Sequence, residues 1–255
     1  MNSPSQFLPL RGRSQAASAL LAVSALLSLL TIKYELDVRG LMDRVVAGEP
    51  VSLAELNADD DNTQSTAVFW LVVLVGAGIA FLAWFHRAYE NIARLGASDL
   101  RASRGWSIGA WFVPILNLVR PKQLMDDIWR ASDPALPANV AGGWRGRTVP
   151  GLVHAWWALF LLGGLVSNVA ANVVDNAETA PALKTASTWV ALAYAALAVS
   201  AVLGIFVVRS VTSRQEQRAT RMSGGGAPPA VGFASADQRP AGLDGVTVWP
   251  PISAQ

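Results

Sequence analysis

The sequence predicts an all-α integral membrane protein with four transmembrane helices. Hydrophobic residues make up 52% of the 255-residue chain and charged residues only 15%, whereas soluble domains average about 25% charged residues. Four apolar stretches without a charged side chain are each long enough to cross a bilayer. A fifth apolar stretch, residues 106–119, is too short to cross and has a proline in mid-run.

The first predicted span covers residues 16–32 and follows a polar N-terminal segment, residues 1–15, with Arg11 and Arg13 near the apolar run. This order resembles a secretory signal peptide, but residues 31–35 offer no small-x-small cleavage site. We therefore expect an uncleaved transmembrane helix. In the polar loop that follows, a helical pattern ends at Gly48, and Ser52 and Glu55 have capping-box spacing.

The other predicted spans are residues 66–85, 151–174 and 188–208, which complete a membrane domain of residues 16–221. The helical pattern of the second span continues beyond its apolar run, and Gly96 is placed to end it. Small residues at positions 191, 195 and 198 form an alanine stripe suited to close helix packing. Residues 222–255, opened by several Gly and Pro residues, are predicted to be a disordered tail.

Residues 106–119 are predicted to form a re-entrant or interfacial segment. Pro114 removes a backbone donor and breaks a helix, and broken backbone at membrane depth needs protein or water to satisfy it. Trp106 and Trp111 are amphipathic rings of the kind that favours the headgroup level. The alternative is a short fifth span.

A short helix is predicted after this segment, up to residue 132. Pro121 suits a first helical position, and apolar residues then recur at helical spacing up to Trp129. Asp126, Asp127 and Arg130 fall on the other side. The pattern indicates a helix that lies on the membrane surface.

The distribution of basic residues decides between four spans and five. If 106–119 does not cross, the N-terminus, region 86–149 and the C-terminus share one side, with 16 of the 20 Lys and Arg residues. The two opposite loops hold the other four and ten of the eighteen acidic residues. The positive-inside rule then places both termini in the cytoplasm. We expect four spans in the cytoplasmic membrane.

Two motifs lie at the centre of the chain: Trp-Phe-His-Arg-Ala-Tyr-Glu-Asn at 84–91 and Trp-Phe-Val-Pro-Ile-Leu-Asn-Leu-Val-Arg-Pro at 111–121. Residues 95–97, 101, 103, 105–106 and 128–132 belong to the same pattern. The chain resembles, over roughly residues 66–208, a bacterial membrane-protein family common in actinobacteria, the domain of unknown function 4328. His86 stands where another residue, such as an aromatic, is expected. The resemblance implies a multi-span membrane protein of unassigned activity.

A candidate lipid- or anion-binding set lies near the predicted cytoplasmic face: Arg87, Asn91, Arg101, Asn117, Arg120 and Lys122. Basic groups between helices on this side bind phosphate headgroups. A structural interpretation is favoured over binding, with the arginines following the positive-inside rule and Asn117 bonding backbone freed by Pro114. The supporting structural motif is predicted to be Trp106, Trp111, Pro114, Pro121 and Trp129.

Catalytic residues are not predicted. Asp126 and Asp127 are adjacent, and neighbouring helical residues project in different directions and share no site. Asn168, Asn172 and Asp175/Asn176 line one face at the outer end of the third span, where we favour hydrogen bonds between helices over a transporter vestibule. No ionisable residue lies deep in a predicted span, which disfavours ion-coupled transport.

The predicted function is a non-enzymatic scaffold, sensor or lipid-interacting module of the membrane. The alternatives are a membrane enzyme that acts on lipid-linked substrates, and a small transporter or channel. The expected partners are membrane lipids, anionic lipids among them; a homo-oligomer is left open, and no protein partner is identified. Neither a cofactor nor a metal is expected from a chain with two His and no Cys, and no nucleic-acid partner is expected.

Overall fold

A computed structural model describes residues 6–137, 140 and 142–224, with side chains throughout except at 53–54 and 56–67. Within these ranges the chain forms six α-helices and two turns of 3-10 helix. The helices are α1 (Arg11–Val46), α2 (Leu53–Arg94), α3 (Trp106–Gly109), α4 (Arg120–Ala131), α5 (Gly151–Asp175) and α6 (Ala180–Ser223). The 3-10 turns are Leu116–Leu118 and Gly143–Gly146.

Four of these helices are long and apolar enough to cross a membrane, which makes the chain a multi-pass membrane protein. They are Arg11–Val46, Val68–Arg94, Gly151–Asp175 and Ala180–Ser223. The predicted spans 16–32, 151–174 and 188–208 lie inside three of them, and the predicted span 66–85 lies within α2 and overlaps the fourth from Val68 onward. The helices are longer than predicted. α1 begins inside the polar N-terminal segment and runs to Val46, and α6 continues through the basic region to Ser223.

The helix ends follow the local sequence signals. Ser52 and Glu55 form the predicted capping box, since each side chain accepts the other residue's backbone N–H. The backbone N–H of Ser52, and after it hydrogen bonds from Arg44 and the Ser52 hydroxyl, lower the pKa of the exposed Glu55 carboxyl. Gly48 and Gly96 follow α1 and α2 with φ of 75° and 88°, a conformation that favours glycine.

Among the four long helices, α6 has the most extensive contacts with the others. This helix lies along α1 and α5, whereas α2 packs mainly against α1. We call the end with residues 6–15, 86–149 and 209–223 the proximal end, and the opposite end the distal end. At the distal end Lys184 contacts Asp43 and Arg39 donates to Thr188 at 3.2 Å, which ties α1 to α6.

The close contact between α5 and α6 depends on a glycine. A Cβ at Gly163 would lie 2.7 Å from Cδ2 and 2.9 Å from Cγ of Leu197. No atom lies within 4 Å of the corresponding position at Gly164, one residue along. Ala198 of the predicted small-residue stripe is also buried. The missing side chain of Gly163 lets the two backbones approach here, whereas Ala191 and Ala195 of the predicted stripe are only half-buried.

The packed core lies at the proximal end. There α4 turns its apolar face, Leu124, Met125, Ile128 and Ala131, inward, and all four are fully buried in the protein. The apolar face of the predicted surface helix therefore packs on protein. The prediction that Asp127 faces away from this side is wrong, since the residue is only 1% exposed. An ion pair with Arg101 compensates the buried charge.

The predicted tail, residues 222–255, lies outside the described residues beyond Gly224. Met222 and Ser223 complete the last turn of α6.

Candidate functional site

The 106–119 segment does not form a spanning helix. It consists of the single turn α3, a run of tight turns, and the 3-10 turn Leu116–Leu118 before α4 begins. Ile115 has φ of 67°, which is an outlier for a β-branched residue and turns the chain sharply after Pro114. The break that Pro114 predicts is therefore present.

The segment has an inner side that packs on aromatic rings of α2 and α5. Trp111 makes edge-to-face contacts with Phe81, Phe85, Trp157 and Phe160 at centroid distances of 5.7 to 6.1 Å. Such pairs add about 0.5–1.5 kcal/mol each beyond area burial. Trp111 therefore bridges α2 and α5, so its predicted place at headgroup level gives way to one inside the bundle.

The outer side of the segment is apolar and exposed. Phe112 is 70% exposed and Ile115 79% exposed, and Val113, Leu118 and Val119 are also exposed. Large apolar patches on a folded chain mark contacts with a membrane or a partner. This side is the most apolar surface that the proximal end presents outside the long helices.

Asn117 does not satisfy the broken backbone. Among the described residues, no hydrogen bond of its side chain is present; only its backbone N–H donates, to Val113 at 3.0 Å. The indole of Trp157 on α5 instead donates to the carbonyl of Leu118 at 3.2 Å. The predicted structural role of Asn117 is wrong, because a side chain distant in sequence takes it.

The rest of the predicted structural motif occupies three different positions. Trp106 at the start of α3 is 42% exposed. Pro121 lies in the first turn of α4, where its missing N–H costs nothing. Trp129 is half-buried at the end of α4, with the guanidinium of Arg214 4.6 Å from its ring centroid.

Arg120 and Lys122 follow the segment directly at the start of α4. The Arg120 guanidinium donates to the neutral side chain of Gln123 at 3.4 Å and has no carboxylate partner among the described residues. Lys122 pairs with Asp126 at 2.5 Å. Arg120 thus carries the uncompensated positive charge at this point of the chain.

Arg87 belongs to a cluster around Glu90. Its Nε lies 4.0 Å from one Glu90 oxygen, while Arg94 and Arg104 contact the other at 3.0 and 3.1 Å. Three guanidinium groups therefore share one carboxylate. The cluster keeps a net positive charge at the proximal end of α2.

Asn91 is fully buried and bound by the protein itself. Its amide oxygen accepts the N–H of Leu8 at 3.1 Å, and its amide nitrogen donates to the carbonyl of Leu8 and to Gln215. Gln215, also fully buried, donates to the carbonyl of Ala88 and to Ser132, each at 3.0 Å. These two amides join the N-terminal segment, α2, α4 and α6.

Arg101 forms a two-point ion pair with Asp127. Its Nε and Nη2 lie 3.1 and 3.3 Å from the two carboxylate oxygens. This hydrogen bonding raises the pKa of the Arg101 guanidinium. Asp126 pairs with Lys122 instead, so the adjacent carboxylates share no site, as predicted. Within the described ranges, no group of three His, Asp or Glu side chains is placed to hold a metal ion.

The six candidate residues do not converge on one point. Asn91 and Arg101 are engaged by protein groups, Arg87 and Lys122 each contact a carboxylate, and Arg120 alone among the basic members has none in the described part of the chain. Of the six, Arg120 and Asn117 therefore have the fewest protein contacts. Both belong to the exit of the 106–119 segment.

Sequence reasoning missed Gln215 and Arg218. Arg218 is 1% exposed, and it donates to the carbonyls of Ala131 and Pro137. The buried positions on α6 include 208, 211, 212, 215 and 218, which is the helical spacing of a packed face. This spacing extends the apolar face of the predicted span into the basic region, where the charged residues made it hard to recognise from sequence.

The asparagines of α5 do not contact other helices. Asn168, Asn172 and Asn176 each donate to the carbonyl four residues earlier, at 2.8, 2.7 and 2.6 Å, and their side chains are exposed. The predicted hydrogen bonds between helices are therefore wrong. Each amide is satisfied within its own helix, as polar side chains in apolar surroundings often are.

Comparison with known proteins gives one family. The family described as domain of unknown function (DUF4328) matches residues 47–213, which include α2, the 106–119 segment, α4, α5 and most of α6. No curated protein and no solved structure matches the chain. Because the match covers well over half of the sequence, the chain belongs to the DUF4328 family.

Proposed function

We propose that the chain is a non-enzymatic, lipid-interacting module of the cytoplasmic membrane. In this proposal the 106–119 segment lies in the cytoplasmic leaflet and Arg120 binds an anionic headgroup at its exit. The observation that carries the proposal is the two-sided character of the segment. Trp111 is packed between α2 and α5, while Phe112 and Ile115 point their apolar surface outward.

The orientation is supported by charge. Among the described residues, the proximal end groups 15 Lys and Arg side chains, and the distal end has four. Because cytoplasmic loops carry the excess of Lys and Arg, the proximal end is assigned to the cytoplasm. Both termini then share that side.

Headgroup binding is supported by the position of Arg120. This residue follows the exposed apolar residues Leu118 and Val119 directly, so its guanidinium lies at the depth where apolar surface ends. The side chain lacks a carboxylate partner within the described ranges, and guanidinium matches phosphate geometry with two parallel hydrogen bonds. A basic residue at an anionic surface is worth about 1 kcal/mol.

The test is retention of anionic lipid by the full chain after extraction in mild detergent. Arg120→Ala should lower the bound phosphatidylglycerol about fivefold, the factor that about 1 kcal/mol gives. Arg120→Lys should keep most of the charge and show a smaller loss. The matched control is Arg221→Ala, an exposed arginine about 20 Å beyond Val208 along α6.

The two arginine variants separate the interpretations. Loss in Arg120→Ala alone supports a headgroup site at the segment. Equal loss in Arg221→Ala reduces the effect to net charge, and unchanged retention in both removes the headgroup site.

A further inference from the structure

A cavity of about 380 Å³ lies among the four long helices. Its walls come from all four: Ser24 of α1, Gly78 of α2, Phe160 of α5 and Leu197 of α6 are among the lining residues. Trp111 and Phe112 of the 106–119 segment close it toward the proximal end. The volume falls within the range of about 300–1,000 Å³ that small-molecule sites occupy.

The cavity exists because α2 and α5 meet at only one described ring contact besides the bridge through the segment. Phe81 and Trp156 have ring centroids 5.7 Å apart, and elsewhere α2 packs on α1 and α5 on α6. Trp111 fills the space between them near Phe81, Phe85 and Trp157. Beyond that ring the space is left open. Along α2 the lining runs from Trp70 to Leu82, about 18 Å of helix and more than half of a hydrocarbon core of about 30 Å.

The chemistry of the walls is almost purely apolar. Charged residues are absent from the lining, and its three hydroxyls are already used. Ser24 donates to Leu20 at 2.9 Å, Ser28 to Ser24 at 2.8 Å and Ser200 to Trp156 at 3.4 Å. The cavity therefore offers no ion pair and no free hydroxyl proton. The indole N–H groups of Trp70 and Trp111 lie on its lining, buried and without a hydrogen-bond partner within the described ranges, and they can donate to an acceptor on an otherwise apolar ligand.

We infer that this cavity binds a hydrocarbon chain of a membrane lipid. The surroundings determine the occupant: four membrane-crossing helices place the lining at hydrocarbon depth, where apolar chains are the solvent. A chain that enters from the bilayer leaves no water, so the hydrophobic effect does not drive its binding; the gain comes from dispersion contacts between the chain and walls that would otherwise face an empty space. A phospholipid acyl chain and an isoprenoid chain share this chemistry. The inference depends on the proposed membrane setting but not on Arg120.

Photo-crosslinking of the full chain tests this site. The protein is placed in phosphatidylethanolamine–phosphatidylglycerol vesicles that carry a trace of lipid with a diazirine in its chain, and adducts are mapped by mass spectrometry. One arm uses a phospholipid probe and a second arm an isoprenoid probe, so that the labelling identifies the source of the chain. Adducts are expected at Leu197 and Ala201 of α6, inside the cavity, as well as at Ile79 on the outer face of α2.

Filling the cavity supplies the matched comparison. A Cβ at Gly78 meets no atom within 4 Å and enters open space, so Gly78→Leu should cut labelling of Leu197 about tenfold while labelling of Ile79 stays constant. Gly164→Leu adds the same side chain at another open position, outside the cavity lining, and should leave Leu197 labelling unchanged. Ala201→Phe is a second filling variant, read at Leu197.

The outcomes are distinct. Absence of adducts at Leu197 and Ala201 in the wild type with both probes overturns the site, whatever the variants do. Equal labelling of Leu197 in wild type and both filling variants also overturns it. In Arg120→Ala, labelling of Leu197 should persist. The experiments can therefore reject headgroup binding at Arg120 while supporting chain binding in the cavity. They can also reject chain binding while supporting the headgroup site.

Discussion

The indole N–H of Trp157 donates to the main-chain carbonyl of Leu118 at 3.2 Å, across 39 residues of sequence. This bond joins the first turns of α5 to the last turn of the broken 106–119 segment. A carbonyl at the end of irregular backbone needs a partner at membrane depth. The bond therefore explains how a non-helical stretch is held between two membrane helices.

Replacing Trp157 by Phe should loosen this attachment. Phe keeps one aromatic ring but removes the indole N–H and the volume of the second ring at a buried position, which costs about 2–4 kcal/mol and lowers the Tm by several degrees. Thermal unfolding in detergent measures the loss, and faster hydrogen exchange at residues 116–119 locates it. Trp189→Phe, at an exposed position of α6, is the control. If both variants lose the same stability, the bond contributes nothing specific.

Alanine substitutions at the adjacent residues Gly163 and Gly164 test how closely α5 packs on α6. Gly163→Ala places a Cβ against the Leu197 side chain at 2.7 Å and should cost about 1–3 kcal/mol. Gly164→Ala meets no atom and should be neutral or slightly stabilising. A Tm for Gly163→Ala equal to that of Gly164→Ala would mean that the two helices do not pack this closely.

The buried amide of Gln215 should be essential to the proximal core. Gln215→Leu keeps the approximate size but leaves the carbonyl of Ala88 and the amide of Asn91 short of a partner, at a cost of about 2–4 kcal/mol. Gln217→Leu, two residues along, changes an exposed side chain that bonds only Ser213. We expect Gln217→Leu to unfold within about 1 °C of the wild type. A matching drop in both variants would contradict the buried position of Gln215.

The buried ion pair between Arg101 and Asp127 should also be essential to the stability of the proximal core. Arg101→Ala leaves a carboxylate that is 1% exposed without its cation and should destabilise the fold by about 3 kcal/mol. In Arg101→Ala/Asp127→Asn the loss should be partly recovered, because the buried charge is gone. Arg104→Ala serves as control: its partner Glu90 keeps Arg94. A double variant no more stable than the single one would count against this account.

The four membrane helices could be predicted from the sequence, and the proximal core could not. An apolar run of membrane length is a local property, because each helix satisfies its own backbone. The bonds of Gln215 instead reach Ala88 and Ser132, 127 and 83 residues away. Only the folded arrangement of four elements buries that amide.

The candidate site, too, could be predicted from the sequence only where its features are local. Pro114 predicts the break in the 106–119 segment, and the helical spacing of apolar residues after Pro121 predicts α4. Asn117 is the nearest polar side chain in sequence, but the bond to the broken backbone comes from Trp157 on another helix. The charge of Asp127 predicts exposure, although its position on α4 is buried. The ion pair with Arg101, 26 residues earlier, compensates the charge of Asp127 and allows its burial.

We propose that the 106–119 segment, whether re-entrant or interfacial, does not cross the membrane, so that the residues before and after it lie on the same side. The chain has no cysteine, so Ala47→Cys, Ala135→Cys and Ser223→Cys each add one thiol, at an exposed position. Labelling of intact cells with a membrane-impermeant maleimide should modify the Ala47→Cys protein only. All three should react once the membrane is opened. Labelling of Ala135→Cys in intact cells would mean that the segment crosses, and would contradict the four-span account.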